Sequence, residues 1–450
     1  MQANHERGPG RRALVAGLAA AFGLQALARA QGKGAPGGRE PESSPASIPS
    51  TGEARPQFAS YDRMMLALMA EHGVPGASLA VARDGKLLLA RGYGWADIEK
   101  REPVQPESMF RIASLTKPLT AALVLRLAEQ GEFRLDDAIL ERLPRALLPK
   151  KGAFLDPRLA RATIRHCLQH TAGWDRGMVG DPIAIPREIA KDLRIEGPPA
   201  PRDIVRWQLA QPLQFEPGAR HAYSNVGYLV LARIVEEATG KPFARALDEQ
   251  ILSPLRMART RLGGATLEKR VKGEVRYYDG EGREAPNLHE SKRPSQVPVQ
   301  YGGEHLEGFE AHGGLISSAI DLVRFASSFD DPRASPILGF DSIRELCAPP
   351  AGEPGHDAQG KRRDAYYGCG MLVRPLGEVG RANLWHSGLI AGTESFMAHL
   401  GNRLNWCVLF NTNGNAKDGW LAGQVDGRLH EATSGVPDWE AADLHPRYAR

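Results

Sequence analysis

In RIASLTKPLT, residues 111–120, Ser114 stands three positions before Lys117 as a long apolar-periodic run begins. A serine attacks a carbonyl only if something takes its proton, something holds that partner, and donors meet the oxyanion. If a helix starts at Ser114, Lys117 lies about one turn on and both side chains share a face. The helix N-terminus then surrounds the serine with backbone N–H groups and positive potential. An ordinary lysine is a poor base, because neutrality at pH 7 costs about 4.6 kcal/mol from a pKa near 10.4. A desolvated pocket, the helix dipole or a second cation can supply much of that. Alternatively, Lys117 stays a cation and draws a tyrosine phenol toward phenolate. Either way the pair holds one proton fewer than two isolated groups. The pattern asks for a tyrosine, and HAYSNVGYLVLARIVEEATG, residues 221–240, has Tyr223-Ser224-Asn225 just before a helical run.

These motifs do not stand alone. FRIASLTKPLTAALVLRLAEQGEFRLDD, TIRHCLQHTAGW, YSNVGYLVLARIVEEATGKPF, SPLRMART, GGLISSAIDLVRFA and HSGLIAGTESF follow one another between about residues 58 and 420. In that order the chain resembles the serine β-lactamase and penicillin-binding-protein superfamily, in the branch of class C β-lactamases, low-molecular-weight DD-peptidases and carboxylesterases. The resemblance implies an acylated nucleophile at Ser114 and a proton-transfer pair of Lys117 and Tyr223. It implies that Asn225 hydrogen-bonds the substrate or Lys117, and that His386, Ser387 and Gly388 lie on the strand lining the pocket. The Ser114 N–H, with one just after Gly388 from Leu389, would form the oxyanion hole. Three departures stand out: Arg256 where a glycine is common, His386-Ser387-Gly388 at the Lys-Thr-Gly position, and a stretch from Gly263 to His312 that aligns with nothing.

The second departure bears on substrate. A lysine there would be a permanent cation for gripping a carboxylate, whereas a histidine with an ordinary pKa near 6.5 is mostly neutral at pH 7. The expectation is weaker carboxylate recognition and acceptance of uncharged small-molecule or peptide-like esters or amides. No separate Glu is recognisable as a base for the deacylating water, so Tyr223 would do that work. The alternatives are a D-Ala-D-Ala carboxypeptidase or a β-lactamase, and, in another class, a non-catalytic penicillin-binding or scaffold protein. No cofactor and no metal is expected. His166 and His170 have the i, i+4 spacing of a zinc pair, but no third ligand is evident.

Around these residues, FASYDRMMLALMAEHGVPG reads as a helix stopped by Gly73 and Pro75. The next stretch reads as two strands turning at Asp84-Gly85. A helix follows Ser114 and ends by Gly131, and another ends at Gly240. KGEVRYYDGEGRE predicts a hairpin around Asp279-Gly280, and Ser317–Phe329 predicts a capped amphipathic helix. Four strand-like runs, YYGCGMLVR, ANLWHSG, ESFMAHL and NWCVLFNTN, lead to a last helix near Trp420–His430. Strands at both ends of the chain predict one sheet built from both, with helices inserted between. The fold class is therefore α+β, β-lactamase/transpeptidase-like: an antiparallel sheet flanked by helices, with a mainly helical inserted subdomain.

Composition is that of a globular protein: 450 residues, 42% apolar, 24% charged. The net charge of +4 does not signal nucleic acid. Residues 1–30 carry four arginines (Arg7, Arg11, Arg12, Arg29) against Glu6, a net +3, leaving only +1 for the rest. That segment reads as an export signal: basic residues, an apolar run over Ala13–Ala28, and Ala28-Arg29-Ala30 as a cleavage site. Arg11-Arg12 suggests the twin-arginine route to the periplasm or exterior. After cleavage no membrane span remains. Residues 31–56, rich in Gly, Pro and Ser, read as a tether. The hydrolase domain is expected over 57–435, with the helical insertion at about 131–310 and a tail at 436–450. The reading is of a monomer, and the four scattered cysteines read as buried thiols.

Overall fold

The computed structural model describes residues 48–149, 154–290, 294–378, 380–414 and 419–448. The export segment and most of the tether lie outside these residues. The first helix, α1 (Ala59–His72), ends where Gly73 takes a left-handed φ of 61°. Strands β2 (Gly76–Arg83) and β3 (Lys86–Asp97) turn through Asp84 and Gly85, both at positive φ (50° and 73°). That is the conformation Asp-Gly favours in a two-residue hairpin.

Strands β4 (Tyr366–Tyr367), β5 (Leu372–Pro375), β6 (Ala382–Ile390), β7 (Thr393–Leu400) and β8 (Leu404–Phe410) come from the other end of the chain. With β1 (Ser50–Thr51) they form an antiparallel sheet in the order β1-β3-β2-β8-β7-β6-β5-β4, and Glu102–Pro103 adds a short pairing to β3. The two ends of the chain meet at β8 and β2, where Trp406 faces Val81 and Val408 faces Leu79.

Both faces of the sheet are covered, so its central strands are apolar throughout. On one face Trp406, Val408 and Phe410 pack with α1 and with α6 (Leu421–Ser434). On the other, Cys407 and Leu409 join the larger core built from α2 (Thr116–Glu129), α3 (Asn225–Thr239) and α5 (Ala319–Ser327). Ser318 caps α5 through the Asp321 N–H at 3.2 Å. The antiparallel sheet between helical layers is the fold class expected. Cys167, Cys369 and Cys407 are buried thiols and Cys347 is half-buried.

Two expectations are corrected. Residues 272–284 form no hairpin: Val275, Arg276 and Tyr278 donate their N–H groups to Met109, Ala96 and Asn411. The segment spends its backbone on the rest of the molecule, and the hairpin lies further on, between Glu284–Pro286 and Gln296–Pro298. The last part of the expected tether is structured, because Ser50 and Thr51 pair with Tyr93 and Gly92 and Arg55 is buried. The tail also packs: Leu444 is buried and its N–H donates to Leu87 O at 2.9 Å.

Candidate active site

Ser114 does not open an α-helix directly. It lies in a 3₁₀ turn, Ala113–Leu115, that feeds α2. The turn is fixed from behind, where Phe110 and Arg111 pair with Ser317 and Ile316. Ala113 is held at φ 47°, a conformation non-glycine residues rarely adopt, next to the serine. Strand β6 runs alongside, and Gly388 permits the approach: a Cβ there would stand 2.4 Å from Ile112 O.

The Ser114 hydroxyl has two close partners. Lys117 Nζ donates to Ser114 Oγ at 3.0 Å, and Tyr223 OH donates to the same oxygen at 3.0 Å. Lys117 is fully buried and also donates to His312 O at 2.9 Å, from the end of α4 (Leu306–Gly313). Tyr223 reaches the serine because it immediately precedes α3, whose first two turns are buried. Its ring packs on His170, with centroids 4.2 Å apart.

The electrostatics separate the two groups. Burial, then the Arg176 guanidinium, hold the Lys117 amine well below the usual lysine range, and Asp181 opposes them. Burial pushes the Tyr223 phenol well above its ordinary value, against the Ser114 hydrogen bond and Arg176. Both shifts run toward the uncharged form of each group, amine and phenol. Together they can accept the serine proton and donate one to a leaving group.

Among the described residues, Asn225 makes no hydrogen bond to Lys117, whose amine goes to Ser114 and His312. Asn225 Nδ2 donates to Asp181 Oδ2 at 2.7 Å, and its Oδ1 is buried with no hydrogen-bond partner among the described residues. Arg176 lies over the Tyr223 ring at 4.6 Å and pairs with Asp181 at 3.6 Å. His386 is buried on β6. Its Nδ1 lies 2.6 Å from Ser387 O and its Nε2 3.0 Å from Tyr367 OH. A carbonyl only accepts, so Nδ1 carries the hydrogen and Nε2 accepts from Tyr367. Burial, then Lys117, push His386 down to about 3, against its bond to Ser387. The ring is therefore neutral at pH 7. Ser387 and Leu389 alternate with it on the half-buried side of β6.

Arg176, Asp181, Tyr367 and the His312 carbonyl are members of the site that the motifs did not mark. The paired histidines of the 166–170 stretch do separate work. His166 closes a capping box with Thr163, while His170 Nδ1 accepts from the Ser224 N–H at 3.2 Å.

A family model described as Beta-lactamase matches residues 61–425. The chain is 34% identical to Esterase EstB of Burkholderia gladioli over 377 residues, covering 79% of this chain and 90% of that one. It is 28% identical to a D-aminopeptidase of Gluconobacter oxydans over 78% of this chain, but spans only 59% of that protein's length. Among solved structures, the octameric penicillin-binding protein homologue from Pyrococcus abyssi superposes with a TM-score of 0.60 at 26% identity. That match covers 84% of this chain and 79% of the homologue.

Proposed function

The chain belongs to the beta-lactamase family as one of its serine hydrolases, and from that premise we propose that it cleaves uncharged carboxylic esters or amides through an acyl-enzyme on Ser114. The observation that carries the reading is the Ser114 oxygen held at 3.0 Å by both a buried lysine amine and a buried tyrosine phenol. In the reactive arrangement the Ser114 hydroxyl turns its hydrogen to the neutral Lys117 Nζ, and Oγ forms a bond to the substrate carbonyl carbon. The oxyanion meets the N–H groups of Ser114 and Leu389. Removing one such donor typically costs about 3–4 kcal/mol of transition-state stabilisation. Collapse breaks the bond to the alkoxide or amine, which takes the Tyr223 proton, and Lys117 returns its own proton to the tyrosine. Water repeats the sequence on the acyl group and regenerates Ser114.

His386 bears on substrate choice. A neutral, enclosed imidazole offers no cation at the position where a lysine would grip a carboxylate. The esterase relative, similar over nine-tenths of its length, supports an ester as the substrate class. We also read the first thirty residues as an export signal, so the enzyme would work in the periplasm or outside the cell; N-terminal sequencing of protein from those fractions tests this.

The main test is turnover of a short-chain p-nitrophenyl ester and of nitrocefin by the wild type and Ser114→Ala, with intact mass followed in parallel. Ester turnover that falls by about 10⁴-fold in the variant, with little nitrocefin cleavage, is the expected outcome. Fast nitrocefin turnover makes the protein a β-lactamase and overturns the argument from His386. Release of D-alanine from a D-Ala-D-Ala peptide faster than ester cleavage would establish a carboxypeptidase instead. A stable adduct on Ser114 without turnover of any substrate would leave a penicillin-binding protein.

A further inference from the structure

The segment from Gly263 to His312 carries a second cluster of chemistry, apart from the serine. His289, His305 and Glu307 each offer one ligand atom, and the three atoms lie within 4.8 Å of one another. His305 Nδ1 and Glu307 Oε2 stand 3.4 Å apart, and both are buried without a hydrogen-bond partner. With Nδ1 unprotonated the two atoms face each other as lone pairs, a costly arrangement that a cation between them relieves. A tetrahedral zinc with bonds of about 2.05 Å sets its ligand atoms roughly 3.4 Å apart.

The ligands are positioned rather than merely near. Glu307 Oε1 is held by Lys269 Nζ at 2.6 Å and the Ala265 N–H at 3.3 Å, which leaves Oε2 as the free oxygen. Gly308 lets the His305 ring fold back on α4: a Cβ there would lie 2.6 Å from His305 Cδ2. His289 sits on the loop between Glu284–Pro286 and Gln296–Pro298, its N–H donating to Asn287 Oδ1 at 3.0 Å. Glu290 ties that loop across to the Ser295 N–H at 2.7 Å, and Arg187 anchors it from outside through Asn287 O at 2.5 Å. The His289 and His305 rings meet edge to face, with centroids 5.8 Å apart. His289 is exposed, so its ring is not locked by packing and is the adjustable ligand of the three.

We infer that His289, His305 and Glu307 bind a divalent zinc ion with water as fourth ligand, clamping the loop that carries His289 to α4. Two imidazoles and one carboxylate suit zinc better than the oxygen-seeking cations. The ion would be structural for the cleft wall, since the far end of α4 presents His312 O to Lys117.

The test uses the full chain stripped with a chelator and titrated with zinc chloride by calorimetry, with thermal unfolding and metal analysis alongside. The expected result is one zinc per chain, with affinity falling at least about 100-fold in His289→Ala and Glu307→Gln. Tm should rise by about 3 °C at roughly hundredfold zinc over Kd, in the wild type and in Ser114→Ala but not in the ligand variants. Equal affinity in wild type and His289→Ala overturns the assignment, as does the absence of binding up to millimolar zinc. If Glu307→Gln fails to fold, His289→Ala alone decides, because its side chain is exposed.

Discussion

Lys117 is flanked by two charges that act on its proton in opposite directions. Arg176 lowers its pKa and Asp181 raises it. If neutral Lys117 is the base, kcat/KM rises with pH as the amine loses its proton, and the acid limb reports that step. Arg176→Ala removes the cation, so the amine holds its proton to higher pH and the acid limb moves up. Asp181→Asn removes the opposing charge, and the limb moves down. Rates of ester cleavage across pH check both, and limbs that move together would rule out Lys117 as the titrating base. Arg176→Ala also unseats the Tyr223 ring, for a further loss of about 10-fold at the optimum. Ser114, Lys117 and Tyr223 were legible because each sits at a fixed offset from a helical run. His312 was not, since it contributes a backbone carbonyl that leaves no mark on the side-chain pattern. Arg176 and Asp181 sit in a polar stretch where charges look like ordinary surface, and only the fold brings them over Tyr223.

Strand β6 and the 3₁₀ turn form one unit, and Gly388 is where they touch. A Cβ there would meet both Ile112 O and Ser395 Oγ at 2.4 Å, while Ser395 Oγ already donates to Ile112 O at 2.8 Å. Gly388→Ala must push the strand off the turn, at a stability cost of about 1–3 kcal/mol. The larger effect should be on kcat/KM, a fall of about 100-fold, because a displaced strand misplaces the donors around the oxyanion. Urea melts beside ester kinetics separate the two effects, and full activity in this variant would remove β6 from the site. Gly427 makes the opposite case. It is exposed within α6 with nothing near its Cβ direction, so Gly427→Ala should raise stability by about 0.5–1 kcal/mol and leave activity alone. Elements with a clear period were legible, from α1 to β8. The segment 272–284 was misread because its alternation resembles a strand, yet its N–H groups go singly to Met109, Ala96 and Asn411. Partners that far away in sequence cannot be seen from local pattern.

At the scale of the molecule, the fold class could be read because both ends of the chain carry strand-like runs and the middle does not. What could not be read is how the outermost segments close the structure, since they do so through single side chains in stretches poor in aliphatics. Arg55 is the main tie: Nη1 donates to Leu88 O and to Ala442 O, each at 2.9 Å. The tail answers along β3, where the Leu87 N–H donates to Asp443 Oδ1 and the Leu444 N–H to Leu87 O, both at 2.9 Å. Trp439 covers Phe58, with ring centroids 5.7 Å apart. Removing residues 437–450 therefore exposes Leu444's site and Phe58, and strips the Leu87 N–H of its acceptor. Lost apolar burial of about 2–3 kcal/mol and three lost hydrogen bonds of about 1 kcal/mol each set the expected destabilisation at about 5–6 kcal/mol. Asp443→Ala removes the acceptor of two N–H groups, those of Leu87 and His445, and should cost about 1–2 kcal/mol. None of these contacts reaches Ser114, so kcat/KM of the folded truncated protein should match the full chain. Urea midpoints for the two variants, read with ester turnover below the transition, test the argument. A truncated protein with an unchanged midpoint would mean that the tail rests on the sheet without supporting it.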